Sequence, residues 1–239
     1  MNLQQLLQEL AGKASEKHKA NVVRLGIPEA NSLGVPVPAI RALARSTSKS
    51  NDLAWELWGT GFHEARLLAC LIFEPATLSH EQLQLLVNDV RSWDLCDHLC
   101  GSVFLHDRHY PELISRWADA EATYEKRAAF ALIATASTHA RNLDNSLVTQ
   151  WLELIEQQGA DDRLHVKKAV SWALREVAHL DLRTRDTALA VATRMLGGPG
   201  KAGQWIGRDA LKEIKDLVSV PGRRRLVSAQ SKAAQAAGF

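Results

Sequence analysis

Cysteine is scarce in this chain. Three residues in 239, Cys70, Cys96 and Cys100, are too few to staple a disulfide scaffold and suit a reducing compartment. No stretch of 18 apolar residues occurs, so no helix long and apolar enough to span a bilayer is expected, and no membrane partner. The opening MNLQQLLQEL lacks the basic flank and apolar run of a secretory signal, which makes a cytoplasmic location the expectation. Glycine (14) and proline (7) are modest, which excludes a low-complexity chain, and only two tyrosines are present against seven tryptophans. What remains, 46% apolar and 23% charged residues, is the composition of an ordered, soluble protein.

Strand-like alternation is missing too. Apolar residues recur at three- and four-residue spacing, as in Leu3, Leu6, Leu7, Leu10 and again in Leu147, Trp151, Leu154, Ile155. Start signals agree with helices. Pro38 opens a segment over 38–46, Pro111 opens another to about Trp117, and Ser79 stands three residues before Gln82 in capping-box spacing. The segments are short and separated by turns such as Gly59-Thr60-Gly61 and Gly159-Ala160-Asp161. The expected class is all-α.

Four segments share a basic residue followed by small and apolar ones, anchored at Arg66, Arg127, Lys168 and Arg208. A further helix over 94–105 halves the first interval. Intervals of about 30 and then about 40 residues, two helices each, predict a helical-repeat solenoid, an α-α superhelix of HEAT or armadillo size. Equivalent positions in such a superhelix stand in a row, so Arg127, Lys168 and Arg208 predict a basic track on a concave face. The alternative role for these side chains is to cap helix ends or cross-link neighbouring repeats. One repeat domain is expected over 1–217, followed by a basic, Ala- and Gln-rich tail over 218–239 that reads as an electrostatic tether or a poorly ordered end.

Charge is divided unevenly. Residues 1–160 carry 14 Lys+Arg against 19 Asp+Glu, a net of −5, whereas residues 161–239 carry 15 against 8, a net of +7. A basic third suggests an anionic partner, most economically nucleic acid.

Two segments carry the candidate chemistry. In Ser92-Trp93-Asp94-Leu95-Cys96-Asp97-His98-Leu99-Cys100, Trp93 and Asp97 share a face provided the helix has begun at Trp93. A carboxylate beside an indole can steady a developing cation while the ring excludes water. Asp94 is assigned the plainer role of a first-turn carboxylate facing the helix dipole. Cys96 and Cys100 share a face, but His98 points elsewhere and no second cluster completes a ligand set, so the thiols read as buried structural groups and no metal is expected. In Val166-Lys167-Lys168-Ala169-Val170-Ser171-Trp172-Ala173-Leu174-Arg175-Glu176, the residues Lys168, Trp172 and Arg175 form one stripe at i, i+4 and i+7. Two cations and an indole suit phosphates and sugars better than a protein core.

Ser-Trp-Asp-x-x-Asp (92–97), Lys-Arg-Ala-Ala (126–129), the 166–176 segment and the run Ser32 to Arg41 resemble the DNA alkylation repair proteins of the AlkD type, the HEAT-like-repeat alkylpurine DNA glycosylases. The likeness spans most of residues 15–217. The resemblance implies HEAT-like repeats curved around duplex DNA and, in a monomer without metal or organic cofactor, excision of positively charged N3- and N7-alkylpurines. It implies Asp97 as the catalytic carboxylate, Trp93 and Trp172 as cleft aromatics, and Arg127 and Arg175 as phosphate contacts. One departure stands out: where such glycosylases carry an aromatic, usually Tyr, this chain has Leu25. A non-catalytic protein that binds duplex or structured DNA is therefore the second expectation. A protein-binding scaffold is the third, and it predicts little dependence on salt.

Overall fold

The computed structural model describes residues 1–24 and 26–239. Leu25, on which the missing aromatic turns, lies outside the described residues. The chain divides into two compact units, Met1–Arg108 and His109–Phe239.

The N-terminal unit contains α1 (Leu3–Ala11), α2 (Glu16–Arg24), α3 (Val37–Arg45), α4 (Asn51–Gly59), α5 (His63–Ile72), α6 (His80–Asn88) and α7 (Trp93–Ser102). Its boundaries follow the local chemistry. Asn2 with Gln5 and Ser79 with Gln82 close reciprocal capping boxes on α1 and α6, and proline stands in the first turn of α3. The Ser32–Val35 segment owes its form to one buried acid. Glu64, 1% exposed, accepts the backbone N–H groups of Leu33, Gly34 and Val35 and the Ser32 hydroxyl. Gly34 is required there, because its φ is +81° and a Cβ would stand 2.7 Å from the Ser15 carbonyl oxygen. The Leu-Gly-Val run is thus a nest of amides folded around a carboxylate.

The C-terminal unit contains α8 (Tyr110–Trp117), α9 (Thr123–His139), α10 (Asn145–Gln157), α11 (Leu164–Ala178), α12 (Leu182–Gly197), α13 (Lys201–Ile214) and α14 (Lys232–Ala236). Helix α9 is buried continuously from Arg127 to Ser137, and five alanines along it let α8 and α11 pack closely. Helix α11 lies between α9 and α13 and buries Val166, Val170, Leu174 and Val177. Helices α12 and α13 meet at Gly207, where a Cβ would be 2.4 Å from the Ala192 carbonyl oxygen.

Side-chain cross-links trace the repeat. In the C-terminal unit Arg127–His165, Thr138–Glu176, Glu156–Arg194, Ser171–Asp209 and Arg175–Glu213 each span 38 residues. In the N-terminal unit Trp58–Asp89 and His63–Asp94 span 31. These two periods match the shorter early and longer late intervals expected from the basic anchors. All four anchors lie on helices, α5, α9, α11 and α13. Trp58, Trp117 and Trp151 are core residues, while Trp55 is half-buried edge-on to Phe73.

The 218–239 segment is folded, not a loose tether. Leu217–Val218 (β1) pairs antiparallel with Val227–Ser228 (β2), the Leu226 N–H donates to the His179 carbonyl at 2.8 Å, and Ser231 caps α14. The strands are two residues long, too short for any alternation to register in the sequence.

Candidate active site and nucleic-acid interface

In the N-terminal unit, α7 begins at Trp93, so Trp93 and Asp97 do fall one turn apart on the same helix face, both half-buried. The buried Leu95, Cys96, Leu99 and Cys100 turn the opposite side of α7 into the core. Burial pushes the Cys70 thiol well above its ordinary value. These three cysteines are therefore packing groups.

Asp94 does more than face the helix dipole. Its Oδ2 lies 2.7 Å from Nε2 of His63, a residue only 6% exposed. Burial alone would raise the Asp94 carboxyl, but the hydrogen bond and charge of His63 outweigh it and hold the group below the usual carboxylate range. The spacing of 31 residues concealed this partner, which only the repeat brings into contact. Arg66, one of the basic anchors, is also committed locally. It donates to the Trp58 carbonyl and the Asp89 carboxylate and sits 5.0 Å over the Trp58 ring.

In the C-terminal unit, the α11 stripe presents Lys168 exposed and Trp172 and Arg175 half-buried. Two carboxylates, unnoticed in the sequence, anchor the latter pair. The Trp172 indole donates Nε1–H to Glu176 at 3.2 Å, and Glu176 also accepts from Thr138 at 3.1 Å and from Arg225 at 2.6 Å. Arg175 donates to Glu213 at 2.8 Å, and His179 meets the same carboxylate at 2.7 Å. The His179 bond, with Arg175 beside it, holds Glu213 down at about 2. The fork of Arg175 is thus prepositioned, with its buried Nε left without a partner. The only sequence signal for Glu176 was its place four residues after Trp172, and Glu213 had none.

The two remaining basic residues divide. Arg208 on α13 is exposed, like Lys168. Arg127 is 6% exposed and donates Nη1–H to the His165 carbonyl at 2.8 Å, so it stitches α9 to α11. Cross-linking, the alternative weighed for these anchors, is what Arg127 and Arg66 do. A pair outside the expected stripe, Lys167 over the Trp205 ring at 5.4 Å, adds a cation–π contact between α11 and α13.

This arrangement supplies a half-buried carboxylate beside an indole on α7, and a fixed indole and arginine flanked by free cations on α11 and α13. Among the described residues, no cluster of three His, Cys, Asp or Glu side chains could hold a metal ion. No helix among them is long and apolar enough to cross a membrane.

The solved structures similar to this chain include one described as a new family of proteins related to the HEAT-like repeat DNA glycosylases with affinity for branched DNA structures. The match covers 99% of this chain and 92% of that one at 17% identity, with a TM-score of 0.75. That likeness establishes the fold as a HEAT-like helical repeat. A designed armadillo-repeat protein in complex with the peptide (KR)4 matches at 16% identity over 83% of this chain and 99% of its own, with a TM-score of only 0.35. No curated protein matches. A family model described as DNA alkylation repair enzyme matches residues 6–214, nearly the whole chain. The protein therefore belongs to the DNA alkylation repair enzyme family.

Proposed function

We propose that the protein is a monofunctional DNA glycosylase that hydrolyses the N-glycosidic bond of positively charged N3- and N7-alkylpurines in duplex DNA, working as a cytoplasmic monomer without metal or organic cofactor. The observation that carries this reading is the half-buried pair Trp93 and Asp97 on one face of α7, in a chain of the DNA alkylation repair enzyme family.

The chemistry asks little of the protein. An alkylpurine bearing a formal positive charge leaves as a neutral base, so no general acid is needed to protonate it. The C1′–N bond electrons depart with the purine, and the sugar becomes oxocarbenium-like until water adds and gives up a proton. Asp97 stabilises that cation, and Trp93 shields it from bulk water. Trp172, steadied by Glu176, packs on sugars or bases of the DNA, while Arg175, Lys168 and Arg208 hold phosphates. The two-carboxylate machinery of ordinary glycosidases is unnecessary for so activated a leaving group.

Asp97→Asn tests this reading. On N-methylated duplex DNA, release of 7-methylguanine should fall on the order of 100-fold or more, with DNA affinity nearly intact. Equal release by variant and wild type removes Asp97 from the mechanism.

A second reading is favoured by Leu25, which stands where the glycosylases carry an aromatic. On this reading the protein binds branched DNA, as one structurally similar protein's family is described to do, without excising a base. It requires that the wild type free no base at all while binding a four-way junction more tightly than a linear duplex.

A further inference from the structure

Three aromatic rings in the C-terminal unit recur with the repeat, and none of the roles above uses them. Tyr124, His165 and Trp205 stand 41 and 40 residues apart. The same intervals separate Arg127, Lys168 and Arg208, so each ring precedes its cation by three residues. Equivalent positions of a helical repeat line up across it. The rings therefore form a row over α9, α11 and α13, beside the row of cations.

Contacts between the helices close the row. The Tyr124 and His165 rings lie 5.5 Å apart between centroids, tilted by 33°, within the range of offset stacking. The His165 carbonyl accepts from Arg127 at 2.8 Å, which ties the first turn of α11 to α9. Two residues further on, Lys167 reaches across to α13 and places its Nζ 5.4 Å from the Trp205 ring centroid. All three rings are half-buried, whereas Ala202 and Ile206 beside Trp205 are buried, so the row runs along the rim between core and solvent. Among the described residues, no hydrogen bond engages the Trp205 indole N–H or the His165 ring, and their polar edges remain for a ligand. Burial, with the charges of Arg127 and Lys168 beside it, holds His165 below its ordinary value, so at neutral pH it is an uncharged ring.

His165 also heads the α11 stripe: His165, Lys168, Trp172 and Arg175 fall at i, i+3, i+7 and i+10. Lys168 and Arg208 stand exposed next to the rings. Two flanking acids are already spent, Asp161 on Arg163 and Lys126, and Asp209 on the Ser171 hydroxyl. A duplex offers phosphates to such a surface but keeps its base faces covered by one another. An unpaired strand offers both.

We infer that Tyr124, His165 and Trp205, with Lys168 and Arg208 beside them, bind an unpaired DNA strand, the rings packing on its bases and the cations on its phosphates. This role rests on the assignment of Lys168 and Arg208 to phosphates made above, and it adds a substrate class to that reading: DNA in which a single-stranded stretch adjoins the duplex.

The test is fluorescence anisotropy of the full-length protein with labelled oligodeoxythymidylate of about a dozen nucleotides, and with a blunt duplex, at matched salt. Wild type should bind the oligodeoxythymidylate saturably. Trp205→Ala should weaken that binding about tenfold, the loss of one stacked base, with duplex affinity little changed. Trp205→Phe keeps a ring and should recover most of the loss. The slope of log affinity against log salt should be unaltered in Trp205→Ala and should fall by about 0.7 in Arg208→Ala, one phosphate of a single strand. Rings that only pack between repeats would behave differently: Trp205→Ala would lower single-strand and duplex affinity alike, and that result overturns the inference. So does a wild type that fails to bind the oligodeoxythymidylate, or full affinity in both Trp205→Ala and His165→Ala. The second variant, at a half-exposed site, decides the matter should Trp205→Ala not fold. Base release by the wild type is assayed alongside. Excision without oligodeoxythymidylate binding overturns this role and leaves the glycosylase standing, and binding without excision does the reverse.

Discussion

Glu176 is the residue whose removal should be felt most widely in the C-terminal unit. Its carboxylate is about a quarter exposed (24%) and accepts from Arg225, Thr138 and the Trp172 indole. Glu176→Ala strips three donors of their acceptor at once and leaves Arg225, 23% exposed, with its guanidinium uncompensated. Hydrogen bonds to a charged group contribute about 1.5–3 kcal/mol each when buried, but solvent here replaces part of the loss, so the net cost is about 3 kcal/mol. For a chain of this size that is a fall in Tm of roughly 6–12 °C. Glu176→Gln keeps the shape and an acceptor for Thr138 and Trp172 while losing the charge, and should recover about half. Burial alone would raise the Glu176 carboxyl, but the bond and charge of Arg225 keep it below the usual range. Its contribution is therefore present above the ordinary carboxylate pKa and is lost as pH falls through the depressed one, so the gap between wild type and Glu176→Ala narrows in acid. Calorimetric unfolding of the three proteins at several pH values measures this. A Tm for Glu176→Ala within about 2 °C of wild type at neutral pH, or a gap that widens in acid, refutes the reasoning.

Other expectations follow from the same geometry. Lys168→Ala and Arg208→Ala, at exposed sites, should each weaken DNA binding across sequences and reduce the slope of log affinity against log salt by about one. Arg127→Ala should instead lower thermal stability with that slope unchanged, because its guanidinium is spent on the His165 carbonyl. Gly207→Ala should cost about 1–3 kcal/mol in urea unfolding, since the new methyl meets the α12 backbone; unaltered stability would contradict the close approach. The His179–Glu213 pair should give a two-sided pH profile. Burial alone would lower His179, but the Glu213 carboxylate and the Leu226 carbonyl raise it, so its contribution is complete below about 6.5 and is lost as pH rises through the raised value. Glu213, held at about 2, contributes above its ordinary 4.5 and loses that as pH falls toward 2. Urea midpoints from pH 3 to 9 should flatten at both limbs in His179→Gln.

Much of this was legible in the residue order. Helices, caps and the two-helix repeat are local or periodic properties, and Ser79-x-x-Gln82, the proline starts and the recurring basic anchors declare them along one strand of text. The stripe Lys168, Trp172, Arg175 and the pair Trp93, Asp97 were likewise readable, because positions four and seven apart share a helix face whatever the rest of the chain does. The basic anchors were misleading as a group. Spacing placed them in register, but whether a guanidinium meets solvent or a neighbouring carbonyl depends on the helix packed against it. Arg208 is exposed and Arg127 buried for that reason.

The sequence by itself determined the helices, their repeat and the face each candidate residue shares, since all of these follow from chain-local periodicity. Tertiary structure alone decided which acid serves which base. Asp94 finds His63 across 31 residues, Glu213 finds Arg175 across 38, and a tail that reads as a tether or a poorly ordered end closes onto the His179 carbonyl through the Leu226 N–H. Such partners are set by how one repeat stacks on the next, and the strength of each pair by the water that stacking excludes, neither of which is written in any short stretch of sequence.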